Sequence, residues 1–199
     1  MLRIRHLDVG GIVISAGGGN LYRDDMLVMT MLQRSYGVVD GVIDLVDASN
    51  LHAAAPLVRL QLDSLFRMCF LATAPEAPRV LDEFLAGRQF RQIKDDEGKA
   101  LGDGRLKDRA AERHSWAIPV YDSTSGWVHL SAGHVATAFQ LGDEDGQFTL
   151  GVPLRREVVP LSVWAEIVGA TTKATDEVLG YALGWAMEKD RRLEGQSGR

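Results

Sequence analysis

The sequence predicts an all-α fold, an antiparallel helical bundle of five to six helices with a small hairpin or loop insert near 141–155. Three observations predict it. Apolar residues recur at steps of three, four and seven along Leu27, Met31, Val38, Val42, Leu45 and Val46, the period of one helix face. The segment "LVRLQLDSLFRMCFLA" is apolar nearly all round, and its charges Arg59, Asp63 and Arg67 fall four residues apart on one stripe. A third long run passes through Trp164, Ile167, Val168, Val178, Leu179, Leu183 and Trp185. With 199 residues the chain suits one domain, which at this size buries about 70% of its extended surface and needs no staples.

Residues 1–23 read as an irregular N-terminal arm, in which "GIVIS" resembles a short strand and Gly17–Gly19 interrupts regular structure. Asp24 and Asp25 open the first clear helix, where two acids suit the positive end of the helix dipole. Gly37 and Gly41 weaken its middle. Ser49 or Asn50 caps a second helix that reaches about Ala72, with Pro56 near its start. A third helix is expected from about Arg79 to Asp96, a shorter one over Leu106–Trp116, and a fifth from Pro119 to near Gln140. Asp145-Gly146 is a tight-turn signal within the insert, and the last helix follows Pro160. Residues 24–191 thus form a single helical domain, and 192–199 a flexible polar tail.

Composition removes several classes of function. Cys69 is the only cysteine, so neither an intramolecular disulfide nor a thiolate zinc cluster fits within one chain. "GGGNLYRDD" lacks the Gly-Lys-Ser/Thr that completes a phosphate loop. A net charge of −5 disfavours indiscriminate nucleic-acid binding, which depends on Lys and Arg neutralising phosphates. No apolar run is long enough for a membrane span, and the expected location is the cytoplasm. No cofactor and no metal are expected. The acidic sets "DDEGK" and "GDEDG" read as solvated turns, since the second lacks the spacing and terminal glutamate of a calcium loop.

Two constellations carry candidate chemistry. On a helix, Tyr121, Ser125 and His129 fall at i, i+4 and i+8, one stripe of hydroxyls and an imidazole. The expected facing partner is Arg59, Asp63 and Arg67 on the central helix, because charges there need partners once buried. One reading is a structural network that fixes how two helices pack. The other is a binding site, with His129 as acid or base and an arginine holding an anion. The second constellation is Arg109 and His114 in "RAAERH", at i and i+5. Such a pair suits metal-independent RNA cleavage, histidine moving the 2′-OH proton and arginine stabilising the phosphorane charge. Its bland counterpart is a solvated helix face of mixed charge.

The stretch from Leu32 to Ala72, "LQRSYGVVDGVIDLVDASNLHAAAPLVRLQLDSLFRMCFLA", followed some fifty residues on by "YDSTSGWVHLS", is similar to a group of bacterial helical proteins. These carry an arginine and an acid on a central helix and then a Tyr-x3-Ser-x3-His stretch. They look distantly like the HEPN superfamily, whose members act as metal-independent ribonucleases or nucleic-acid-associated modules in toxin–antitoxin and phage-defence systems. Arg109-x4-His114 matches the spacing of that superfamily's hallmark, although Ala110 stands where a polar residue is usual. The resemblance implies an accessory or effector protein of a bacterial stress or defence system, acting on RNA. From the residues alone, two alternatives stand beside it: a non-catalytic helical interaction module with a structural polar cluster, and a small-ligand-binding helical protein. A homodimer is expected from the small-residue-rich "GYALGWAM", with RNA or a protein as further partner.

Overall fold

The centre of the molecule is α3 (Leu51–Thr73), whose Val58, Leu62, Leu65 and Phe66 are almost wholly buried. Its start is fixed by Asn50, whose side-chain carbonyl accepts from the Ala53 amide at 3.2 Å. Around it pack α2 (Arg23–Asp47), α4 (Ala77–Leu85), α5 (Asp103–Ala110), α6 (Ala117–Val128) and α8 (Leu161–Ser197). The computed structural model describes residues 1–141, 147–150 and 159–197. An all-α architecture holds, with eight α-helices among the described residues rather than five or six.

The two added helices have distinct origins. The first is α1 (Leu2–Ser15), where an irregular arm was expected. Gly10 and Gly11 lower helix propensity, and Ile12, Val13 and Ile14 favour strands. Its outer face also carries Ile4, Leu7, Ile12 and Ile14, all exposed, so no polar side marks an amphipathic period. Tertiary contact overrides these signals. Val9 and Val13 are buried against α2 and α8, and His6 Nε2 lies 2.9 Å from Ser35 Oγ. The Gln61 amide then donates to Ser35 Oγ at 2.6 Å and to Thr175 Oγ1 at 3.0 Å, so one polar chain links α1, α2, α3 and α8.

The second addition comes from a break. The helix expected from Pro119 to Gln140 is divided into α6 and α7 (Ala132–Ala138). Ser131 caps α7, and its amide donates to His134 Nδ1 at 3.3 Å. This is a capping box in which histidine replaces the usual glutamate or glutamine. The helix expected over 79–96 is likewise shorter, because Gly87 at φ 96 ends α4 in the left-handed region.

Gly37 and Gly41 do not interrupt α2; Gly41 instead admits Leu57, whose Cδ1 lies 3.0 Å from where a β-carbon would stand. The insert is a short antiparallel ribbon, β1 (Phe139–Leu141) on β2 (Phe148–Leu150), with Phe139 opposite Leu150. Asp145-Gly146, the set "GDEDG" and residues 151–155 lie outside the described residues. The tail expected to fray from 192 is helical to Ser197, steadied where Arg192 Nε meets Glu188 at 3.2 Å. Among the described residues, no helix is long and apolar enough to cross a membrane.

Candidate functional site

The charged stripe of α3 does meet the hydroxyl edge of α6. Arg59 donates to the Asp63 carboxylate, to the Tyr121 hydroxyl and, at 3.2 Å, to Ser125 Oγ. Arg67 donates to the Asp63 carbonyl at 3.0 Å and to Asp103 of α5 at 2.6 Å. Lys107 closes the group on Asp122 at 2.9 Å. Burial pushes the Asp63 carboxyl above its ordinary pKa despite the pull of Arg59, and pushes Tyr121 up to about 12. Arg59, Arg67 and Lys107 face Asp63, Asp103 and Asp122, so the seam is neutral as a whole. Its charges are paired with one another and tie α3 to α5 and α6.

His129 is not part of it. α6 ends at Val128, and His129 turns out as an exposed C-cap with extended backbone and no hydrogen bond among the described residues. The i, i+4, i+8 stripe therefore stops at Ser125. Arg109 and His114 are also separated in role. Arg109 is ion-paired with Glu76, approaches Asp95 at 3.8 Å and lies over Phe70. His114 is buried, with Nε2 at 2.7 Å from the Tyr181 hydroxyl, and burial lowers its pKa. The pair does not converge on an open surface.

The open feature lies elsewhere, on the other side of α3. A groove of about 500 Å³ runs between the start of α2, the end of α3, the start of α4 and α8. That is within the roughly 300–1,000 Å³ typical of small-molecule sites. Its shape follows from local sequence. Pro75 and Pro78 turn the chain sharply out of α3, and Pro78 starts α4 where a missing amide hydrogen costs little. Gly180 and Gly184 on α8 supply no side chain, and a β-carbon at either would meet no atom within 4 Å. Leu27, Met68, Leu71 and Leu81 line the sides.

Two aromatic residues of α8, one turn apart, complete the walls, and each is anchored at its polar end. The Tyr181 hydroxyl lies 2.7 Å from His114 Nε2. The Trp185 indole N–H donates to Asp25 Oδ1 at 2.7 Å. Asp25 also accepts from Lys189 Nζ at 2.8 Å and from the Tyr22 amide at 2.7 Å. Burial opposes its charge, but the bonds from Lys189, the Tyr22 amide and Trp185 hold its carboxyl below the ordinary value. The ring faces are thus fixed before anything binds. At the mouth stand Asp24, Glu188 and Arg192.

In the sequence Asp24 and Asp25 mark only a helix start, and no local pattern marks Lys189. The signal that pointed here was the pair of glycines in "GYALGWAM", read then as a self-association surface. Among the described residues, no group of three or more His, Cys, Asp or Glu is placed to hold a metal ion. No protein-family model matches the chain, and no curated protein or solved structure matches it.

Proposed function

We propose that this protein is a non-catalytic, ligand-binding helical module that takes an apolar or amphipathic small molecule in the groove between α2, α3, α4 and α8. The observation that carries this reading is a contrast. The polar seam has its charges paired inside the chain, Arg109 is paired with Glu76 and His114 is buried against Tyr181, whereas the groove presents anchored aromatic side chains and a glycine floor that no described side chain fills. Two glycines inside a helix cost about 1 kcal/mol each relative to alanine, and among the described residues no atom lies within 4 Å of the room they create. Metal-independent RNA cleavage draws no support from the geometry, because Arg109 is neutralised by Glu76 and His114 sits behind Tyr181.

The test is a fluorescence titration with the neutral apolar probe N-phenyl-1-naphthylamine. Saturable enhancement is expected with the wild type and is expected to vanish in Gly184→Leu, whose new side chain fills the groove. That substitution also raises helix propensity, so the melting temperature should hold or rise. Enhancement that is absent from the wild type, or unaffected by Gly184→Leu, overturns the reading. So does RNA cleavage by the wild type that is lost in Arg109→Ala and in His114→Ala.

A further inference from the structure

The groove is apolar along its length but not neutral at its mouth. Glu188 is engaged by Arg192 at 3.2 Å and by Arg191 at 3.7 Å. Arg23, the neighbour of Asp24 on α2, is drawn to Asp82 at 3.1 Å. Asp24 has no hydrogen bond and no ion pair within 4.0 Å among the described residues; Arg192 and Arg23 act on it only at longer range. Burial raises its pKa, as for a carboxylate placed against apolar surface without a compensating donor. The Lys189 charge behind it is already answered by Asp25. Of the two carboxylates lining the groove, Glu188 is paired with Arg192, and Asp24 is the one without a cation within 4.0 Å among the described residues.

Trp185 and Tyr181 sharpen the preference. The face of an aromatic ring is electronegative, and tryptophan attracts an organic cation most strongly. Arg192 lies 5.8 Å from the Trp185 ring, so the ring already attracts a cation of this chain, and a ligand cation must share or displace it. A neutral ligand gains only the apolar walls, and an anionic one is repelled by Asp24, which Arg192 and Arg23 offset only at longer range.

We propose that the groove binds a lipophilic organic cation, its hydrocarbon body along the Gly180 and Gly184 floor and its positive group beside Asp24 and the Trp185 face. The assignment rests on the groove being a binding site, and the experiment separates the two statements. Three probes with the same ten-carbon chain are compared below their micelle concentrations: decyltrimethylammonium, decyl maltoside and decyl sulfate. Binding is read by quenching of tryptophan fluorescence and by calorimetry on the wild type, Asp24→Asn and Gly184→Leu.

The cationic probe is expected to bind the wild type about tenfold more tightly than the neutral one, and the anionic probe least. Asp24→Asn should bring the cationic and neutral probes to within about twofold of each other, and Gly184→Leu should remove binding of all three. If the three probes bind alike and Gly184→Leu removes them, the groove stands and the cation assignment falls. A cationic preference that survives Asp24→Asn reflects the net charge of the chain and also overturns the assignment. If no probe binds, or Gly184→Leu changes nothing, the groove itself is lost as a site.

Discussion

Arg59 shows how a single side chain can hold two helices together. It is almost buried and bonds to three side chains on two helices. Removing it leaves Asp63 charged in a site that water barely reaches, which typically costs about 3–5 kcal/mol. Arg67 remains 3.7 Å from Asp63, so Arg59→Met should lose about 3 kcal/mol in urea denaturation. Arg59→Met combined with Asp63→Leu should recover most of that loss, because no charge is then stranded. A double variant no more stable than the single one contradicts the structural account of the seam. The seam was readable because four-residue spacing on a helix fixes a stripe and a buried charge demands a partner. His129 misled because the same spacing assumes an unbroken helix, and the serine–histidine cap that breaks it has no standard signature. The Asp25–Lys189 pair joins residues far apart in the chain, and no local pattern announces it.

At the scale of elements, the turn from α1 to α2 is the tightest joint. Gly17 has φ 65, a conformation that costs a residue with a β-carbon about 1–2 kcal/mol. A β-carbon there would also stand 2.9 Å from Cγ and Cε of Lys189, the residue that neutralises Asp25. Gly19 has φ 79 and nothing within 4 Å. Gly17→Ala should therefore lose clearly more stability than Gly19→Ala, the latter by about 1 kcal/mol. Equal losses in denaturant titrations mean that Lys189 moves aside without consequence. The same joint explains why α1 escaped the sequence. Its helicity is conferred by α2 and α8, and neither its glycines nor its two apolar faces carry a helical period. The long, strongly periodic α2 and α3 were legible from hydrophobic spacing alone.

For the whole molecule, acid should act first through imidazoles. His6, His52 and His114 all have their pKa lowered from 6.5, first by burial in each case. His52 is lowered further by His134, whose ring lies 5.2 Å away. The unfolded chain binds protons that the folded chain resists, so stability is complete above about pH 6.5 and falls below it. Asp63 and Asp24, raised by burial, act in the opposite sense and nearer the carboxylate range. The melting temperature should decline between about pH 7.5 and 5.5, and a flat or rising profile contradicts this. The all-α class was legible because it depends on composition and period. The groove was not, because it is made by the absence of side chains where four elements meet.

The joining of α1 to α8 has a consequence for biosynthesis. Arg5 pairs with Asp176, Gly17 donates to Asp190 at 2.7 Å, and Lys189 reaches back to the Val13 carbonyl. Helix α1 is thus completed only by α8, about 150 residues further along the chain, a wait on the order of ten seconds at ordinary elongation rates. Throughout that interval α1 has α2 beside it but not α8. A chain that stops before α8 should leave the α8-facing sides of α1 and α3 open to water and to proteases.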